Sequence, residues 1–375
     1  MASGAVHVRV RRGQVLAYRA AVQQLFDHPT QPAGLAVLDL GVQDTPPGAA
    51  AHALANRLGR PVADPTAAGL ATTWTVRGAP HVHRAADLRA LAGQLWPWSD
   101  GDALARLDTA AAPVRRAGMP AREALRFVAE RMAAIVTAPL PKGEVSAALT
   151  ARIPAAMTVD CRVCRARHVV ETLFRSAVLP AGIRFAPAQR SVTFVPMPGW
   201  PGVPRDTEGA DRLVLAYLRL LGPAGPPQVA AFLGTSPAEL ASRWPGGLAE
   251  VAVDGVPAWL PAQQLDLLQS APQPSGVRLL PPSDPLLQAR DRELVVPDRA
   301  QREVLWPALG RPGAVLRDGE VAGSWSARRK GRNLALSVRC FSRPPVRARR
   351  AIEEQAGLLA RVRGAADVVV SFADP

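Results

Sequence analysis

A glutamine and a carboxylate stand side by side in the segment GVQDT, residues 41–45. Gln43 and Asp44 follow an apolar run and precede two prolines and an alanine-rich stretch. An amide can hold a water molecule, and a carboxylate can accept its proton and stabilise a nearby positive charge. Asp44 or Thr45 could equally cap a helix that the two prolines open. The segment therefore indicates either hydrolytic chemistry or a helix start.

A second polar group lies in the segment WTVRGAPHVH, at Arg77, His81 and His83. If this segment is a strand, residues two or four apart point to one face, so all three side chains would lie together. Two histidines on one face could bind zinc, but no carboxylate or cysteine nearby completes the set. The alternative is one surface histidine and one core histidine.

The segment CRVCRARH supplies a third group, Cys161, Cys164 and His168. Two cysteines three positions apart with a nearby histidine suggest zinc, although a good site needs a fourth ligand. The alternative is free thiols on a loop, and we predict no metal and no cofactor. With Cys340 the chain has three cysteines, too few for a disulfide framework, which favours a reducing, cytoplasmic setting.

Short elements must position these residues, because 37 prolines divide the chain. A helix, an alanine-rich second helix, a hairpin and a third helix are predicted at residues 10–25, 49–58, 72–84 and 86–96. Helices joined to a two-stranded hairpin are typical of a winged-helix unit.

The same arrangement recurs along the chain. Residues 209–244 indicate three helices, with Ser236 as a helix cap, and Asp254-Gly255 predicts the turn of the hairpin that follows. Asp318-Gly319 predicts another hairpin before a final amphipathic helix. We therefore predict an α+β protein with three tandem winged helices and a β-rich C-terminal segment. The predicted boundaries are 1–110, 111–205, 206–285 and 286–375.

The charge of the chain is strongly one-sided. Its 375 residues include 45 Lys+Arg and 31 Asp+Glu, for a net charge of +14 and a pI near 11.2. A chain this basic usually meets a polyanion. The segment SARRKGRN concentrates cations at a predicted hairpin tip, where phosphate or groove contact is expected from Arg328, Arg329, Lys330 and Arg332. No stretch approaches ~20 apolar residues, so no membrane span is predicted.

Four of these segments together resemble a known family. GVQDTPPGAAAHALANRL is similar to the G-L-Q-x-Q-x-P segment of the winged-helix DNA glycosylases of the AlkZ and YcaQ group, and WTVRGAPHVH to their R-G-T-x-H strand. DPLLQARDRELVVPD resembles the family's D-x-L-L…R-D-R segment, and LRDGEVAGSWS its V-D-G-R-V-x-G-x-W hairpin. The four segments occur in the family's order.

The resemblance implies three winged helices around a basic concave face and monofunctional removal of alkylated purines or interstrand crosslinks. It implies a catalytic pair at Gln43 and Thr45, where the family has Gln or Asp at the second position. A shift of one residue instead aligns Asp44 and Thr45 with the D-T of other members. His81, with Arg77 and His83 beside it, becomes an active-site neighbour.

The resemblance also extends the DNA-binding set to Arg290 and Arg292 of the R-D-R segment. The expected partner is double-stranded DNA with alkyl adducts, bound by a monomer, with a role in alkylation repair or in self-resistance to a genotoxic natural product. Two alternatives remain: a catalytically inactive winged-helix regulator or lesion sensor, and a winged-helix scaffold for protein partners.

Overall fold

The computed structural model describes residues 8–187 and 191–373, which form a mixed α+β protein. The helices are α1 Arg12–Val22, α2 Ala49–Leu58, α3 Leu88–Leu95, α4 Asp100–Leu107, α5 Ala111–Arg116, α6 Ala121–Ile135, α7 Lys142–Thr150, α8 Glu171–Val178, α9 Ala210–Leu221, α10 Pro226–Leu233, α11 Pro237–Ala241, α12 Leu265–Ser270, α13 Arg292–Val295, α14 Arg299–Leu305 and α15 Val346–Val362. The strands are β1 Val8–Val10, β2 Val42–Gln43, β3 Leu70–Trp74, β4 Pro80–Arg84, β5 Leu140–Pro141, β6 Thr158–Cys161, β7 Ala166–Val169, β8 Ile183–Phe185, β9 Thr193–Pro196, β10 Leu248–Val253, β11 Val256–Pro261, β12 Val277–Leu280, β13 Gly313–Arg317, β14 Glu320–Lys330, β15 Asn333–Cys340 and β16 Val368–Ala373.

The chain divides into two compact units. Unit 1 is built from the described parts of residues 1–68, 215–228 and 245–375. Unit 2 is built from the described parts of residues 69–214 and 229–244. Each unit therefore combines segments that are distant in the sequence.

Unit 1 contains a five-stranded sheet in the order β12-β13-β14-β15-β16. Neighbouring strands are antiparallel except β15 and β16, which are parallel. Helix α15 covers this sheet, so that Ile352 and Leu359 share a core with Trp325 and Leu336. The sheet and its helix form the β-rich C-terminal part of the protein.

A second sheet of unit 1 has the order β1-β10-β11. Strand β1 runs parallel to β10, whereas β10 and β11 form an antiparallel hairpin. Helices α1 and α12 supply Tyr18 and Leu268 to the core on this sheet, beside Val251 and Leu260. Alternating apolar residues in β10 thus face the core, as expected for a sheet covered on one side.

Unit 2 is organised around Trp74 at the end of β3. The indole makes edge-to-face contacts with Phe174, Phe185 and Phe194, at ring-centroid distances of 5.9, 5.3 and 5.5 Å. These rings come from α8, β8 and β9, so a single aromatic cluster joins the β3–β4 hairpin to the β5-β9-β8 sheet. Edge-to-face pairs add stability beyond the area that they bury.

Several local predictions are confirmed. Asp254-Gly255 connects β10 to β11, and Asp318-Gly319 connects β13 to β14. The hydroxyl of Ser236 accepts a hydrogen bond from the backbone N–H of Glu239 at 3.2 Å and caps α11. The α+β class is also confirmed, whereas the division into three winged helices stays a prediction. None of the described helices is long and apolar enough to cross a membrane.

Candidate active site

The segment before Gln43 is held by apolar burial. Val37, Leu38 and Val42 are buried, and Val42 is the first residue of the short strand β2. The backbone carbonyl of Gln43 accepts a hydrogen bond from the Ser283 hydroxyl at 2.8 Å. The strand and this hydrogen bond hold the backbone at Gln43.

The amide oxygen of Gln43 is an unusual atom. It is buried, and it has no hydrogen-bond partner among the residues that the structure describes. Buried polar atoms are nearly always paired, so an unpaired acceptor indicates a position for a water molecule or a ligand group. Gln43 thus offers an acceptor at the place where the sequence predicted a water-holding amide.

Asp44 performs the capping role that its residue type suggested. Its Oδ1 accepts a hydrogen bond from the backbone N–H of Ala50 at 2.9 Å. The helix begins at Ala49, so both prolines precede it. The prediction that they form its first turn is wrong. Gly48 occupies the N-cap position of α2, so Asp44 serves the helix from outside it, as the acceptor for the Ala50 N–H, and Thr45, the other predicted cap, is exposed.

Burial dominates the electrostatics of Asp44. Removal of its carboxylate from water raises the pKa, and hydrogen bonds from the N–H groups of Ala50, Gly48 and Ala49 lower it by a smaller amount. The positive end of the α2 dipole also favours an anion there. The net result is a partly buried carboxylate with a raised pKa, a combination that suits a proton acceptor.

The buried face of α2 ties this helix to the rest of unit 1. Arg57 and Asp284 are both fully buried and form a two-pronged ion pair, with N–O distances of 2.9 and 3.0 Å. The Asn56 amide donates to the carbonyl of Leu279 at 2.9 Å. Asp284 begins the family-like segment DPLLQ, so that segment anchors the helix that Asp44 caps.

His52 lies one turn into α2 and was not identified from the sequence. Both ring nitrogens are buried without a hydrogen-bond partner among the described residues. Burial, with a smaller contribution from Arg363, lowers its pKa to about 3. Its ring packs edge-on against Trp325 at 5.5 Å. His52 is thus a neutral core residue at neutral pH.

The histidine pair belongs to unit 2. His81 and His83 lie on β4, both buried, with ring centroids 6.0 Å apart. The prediction of a shared strand face is confirmed, and the alternative of one surface and one core histidine is wrong. Burial, followed by His83, lowers the pKa of His81 to about 3, so that its imidazole is neutral at neutral pH.

Arg77 is not on the strand with these histidines. It lies in the turn between β3 and β4, with a positive φ of 55°. Its guanidinium donates to the carbonyl of Phe232 and lies over the Phe232 ring, 5.2 Å from the centroid. The sequence placed Arg77 on a strand because the alternation of β4 was extended backwards through the turn.

The predicted DNA-binding cations occupy two places in unit 1. Arg328, Arg329, Lys330 and Arg332 are exposed at the tip of the β14–β15 hairpin. Arg329 differs from the others, because its guanidinium donates to the carbonyls of Arg363 and Gly364 at 2.9 and 3.2 Å. The tip therefore presents a concentrated positive charge on a short, well-defined turn.

Arg290 and Arg292 are partly buried beside a third arginine, Arg311. Burial first, and the charge of Arg311 as well, lowers the pKa of both side chains. Arg292 also lies over the ring of Trp306 at 5.1 Å. Like charges held together in this way fit an anion, but the intervening Asp291 pairs with the buried Arg19.

Known proteins resemble this chain over a range that includes the segments described above. A family profile described as "DNA glycosylase AlkZ-like" matches residues 37–362. The chain belongs to this family of DNA glycosylases. The protein is therefore an enzyme that acts on DNA. The matched residues include Gln43, Asp44, the two histidines and the β14–β15 hairpin.

A solved structure has the same fold. The Streptomyces sahachiroi DNA glycosylase AlkZ aligns with a TM-score of 0.76 and 22% sequence identity. The alignment covers 98% of this chain and 100% of the AlkZ chain. No curated protein matches the sequence at a significant level. The DNA glycosylase thus shares its fold with AlkZ at a low level of sequence identity.

Proposed function

We propose that the enzyme is a monofunctional DNA glycosylase that hydrolyses the N-glycosidic bond of bulky N7- or N3-alkylated purines, including crosslinked ones. Alkylation gives the purine a positive charge and makes it a good leaving group. The bond between C1′ and the base nitrogen breaks, and its electron pair leaves with the base. The sugar becomes an oxocarbenium-like cation, as in glycoside hydrolysis.

Gln43, Asp44 and Thr45 are the proposed catalytic group. The observations that carry this proposal are the partly buried Asp44 carboxylate with a raised pKa and the unpaired amide oxygen of the preceding residue, Gln43. Gln43 holds the water, and Asp44 accepts its proton and stabilises the sugar cation. Thr45 is exposed next to them and orients the water. Asp44 is favoured over Thr45 as the second member because a hydroxyl is a far weaker proton acceptor.

The lysines support a mechanism without a covalent amine intermediate. The sequence contains only Lys142 and Lys330. Lys142 pairs with Glu171 at 2.7 Å, and Lys330 is exposed at the hairpin tip. A Schiff-base route needs a free amine in a sheltered site, and neither the ion-paired Lys142 nor the exposed Lys330 provides one.

Arg77, His81 and His83 are the proposed active-site neighbours, with His81 acting as a neutral hydrogen-bonding group. Three tandem winged helices present a basic concave face to double-stranded DNA, on which Arg328, Arg329, Lys330, Arg332, Arg290 and Arg292 contact phosphates. The enzyme acts as a cytoplasmic monomer. Its proposed role is repair of bulky alkylation, including self-resistance in an organism that makes a DNA-alkylating metabolite.

A panel of adducts tests the substrate class. Duplexes carrying N7-methylguanine, a bulky N7-alkylguanine or an N7-linked interstrand crosslink are incubated with the enzyme, and released bases are measured by mass spectrometry. We expect faster release of the bulky and crosslinked bases, and no enzyme–DNA adduct after borohydride treatment. Release confined to methylated bases, or a borohydride-trapped adduct, contradicts the proposal. Salt-sensitive binding without release from any duplex instead supports the inactive DNA-binding alternative.

A further inference from the structure

The β6–β7 hairpin of unit 2 brings three sulfur and nitrogen ligands together. Cys161 pairs with Ala166 and Val159 with His168 across the antiparallel strands, so Cys161 and His168 are diagonal neighbours on one face. Cys164 lies in the turn that joins the strands. One ligand atom from each of the three residues lies within 4.8 Å of the others.

Two hydrogen bonds orient these ligands. The backbone N–H of Cys164 donates to the sulfur of Cys161 at 3.4 Å, a contact that stabilises a thiolate. His168 Nδ1 lies 2.7 Å from the Val169 carbonyl, which fixes Nδ1 as the protonated nitrogen and leaves Nε2 as the electron-pair donor. Metal-bound histidines are usually held by such a hydrogen bond on the other ring nitrogen.

The turn between β6 and β7 brings the Cys164 sulfur close to the Cys161 sulfur. Arg165 directly follows Cys164 and has a left-handed φ of 51°, which reverses the chain into β7. The tip has almost no apolar packing of its own, since Val163 is 93% exposed. A two-stranded hairpin this short is marginally stable in water by itself. The buried Val169 holds the base of the hairpin, and a metal crosslink would add order at the tip.

Against the sequence-based prediction of no metal, we propose that Cys161, Cys164 and His168 bind a zinc ion, with water as the fourth ligand. Thiolate and imidazole are the donors that zinc prefers in tetrahedral sites. Glu171 is not the fourth ligand, because it is held by Lys142 and Arg175 at 2.7 and 2.8 Å. Two thiolates balance the charge of the ion. The proposed zinc ion takes no part in the proposed base excision.

Metal analysis tests the proposal directly. Tag-free protein is purified from zinc-supplemented medium, dialysed against a weak chelator and analysed by mass spectrometry of its metal content. We expect about one zinc ion per chain. Cys161→Ser, Cys164→Ser and His168→Asn should each weaken zinc binding roughly 10-fold or more. Cys340→Ser is the matched control, because Cys340 is buried in unit 1, and it should retain the zinc.

Cobalt substitution and proteolysis give two further readouts. Cobalt in the site should produce a thiolate-to-metal charge-transfer band that Cys161→Ser weakens and Cys340→Ser does not. Trypsin should cleave after the exposed Arg162 and Arg165 faster when a chelator removes the metal. Zinc-free protein, zinc retained in all three ligand variants, or a Cys161–Cys164 disulfide in freshly purified protein would overturn the proposal.

Discussion

Asp44 combines a structural contact and a proposed chemical role in one carboxylate. Hydrogen bonds from N–H groups at the start of α2 stabilise the ionised carboxylate and lower its pKa. Burial destabilises the ionised form and raises the pKa by more. Functional carboxylates commonly show this conflict, because an environment that suits proton transfer does not suit a charge. The conflict predicts how stability should change with pH.

The pH dependence of unfolding tests the state of Asp44. A raised pKa in the folded protein means that the folded state binds its proton more tightly than the unfolded state does. Stability from this group is therefore fully present below the unfolded pKa, about 4, and is lost as pH rises through the folded pKa. As pH rises from about 4 through the folded pKa, the free energy of unfolding of the wild type should therefore fall relative to that of Asp44→Asn.

Urea unfolding of the two proteins at a series of pH values measures this difference. Asp64→Asn is a matched control, since Asp64 caps an exposed turn through the N–H groups of Thr66 and Ala67. A wild type that gains stability over Asp44→Asn as pH rises would show that Asp44 is an ordinary helix cap with a depressed pKa.

Gln43 gives a second prediction at the residue scale. Gln43→Ala removes a buried acceptor that has no partner, so the free energy of unfolding should change little. The single-turnover rate of base release should nevertheless fall about 100-fold, because the water loses its holder. Gln263→Ala, at an exposed glutamine, is the control for both measurements. If the base-release rate of Gln43→Ala falls only as much as its folded fraction does, the water-holding role is contradicted.

At the scale of elements, the placement of α2 depends on charges that lie far apart in sequence. Arg57 and Asp284 are 227 residues apart and meet in the interior of unit 1. Asp284→Asn leaves the Arg57 charge buried without its counter-ion, which should cost about 3–5 kcal/mol of unfolding free energy. Glu303→Gln breaks the exposed Arg299–Glu303 pair and should cost about 0.5 kcal/mol or less.

Thermal and urea denaturation of these two variants compare the buried and exposed pairs. Equal, small losses in both would mean that the Arg57–Asp284 pair does not fix α2. The glycosylase rate of Asp284→Asn adds a functional readout, because α2 carries the N–H groups that bind Asp44.

Local chemistry predicted the elements that depend on a few neighbouring residues. The turns at Asp254-Gly255 and Asp318-Gly319 and the cap at Ser236 follow from residue type alone. The five-stranded sheet was not predicted, because β12 and β16 join it by pairing with strands distant in the sequence. Arg77 was misplaced for a related reason, since strand periodicity does not reveal where a turn interrupts it.

The candidate site shows the same limit. Gln43 and Asp44 were identified from residue types and a family-like segment, but the orphaned Gln43 oxygen and the raised pKa of Asp44 depend on burial. Ser283 and His52 carried no local pattern that distinguishes them from ordinary loop and helix residues, and Asp284 was marked only as the first residue of a family-like segment. Tertiary packing decides which polar groups are desolvated, and a single sequence does not encode that packing locally.

At the scale of the whole molecule, the net charge of +14 predicts strongly salt-dependent DNA binding. The logarithm of the binding constant should fall linearly with the logarithm of salt concentration. Arg328→Ala, Lys330→Ala and Arg332→Ala should each reduce that slope by about 1, on any duplex sequence. Arg329→Ala should reduce it less, because its guanidinium is already bound to the carbonyls of Arg363 and Gly364.

Fluorescence-anisotropy titrations at several salt concentrations provide these slopes. Unchanged slopes in the Arg328, Lys330 and Arg332 variants would show that the β14–β15 tip does not contact phosphates. Weak binding of the wild type even at low salt would contradict a DNA-facing basic surface and support a scaffold for protein partners.

The most direct test of the catalytic assignment is single-turnover base release from a bulky N7-alkylguanine duplex by wild type, Asp44→Asn and the control Asp64→Asn. DNA affinity of each protein is measured in parallel. We predict that Asp44→Asn lowers the release rate at least ~100-fold and leaves the affinity nearly unchanged, whereas Asp64→Asn behaves as wild type. Base release by Asp44→Asn at the wild-type rate would contradict the account and leave Asp44 as a helix cap.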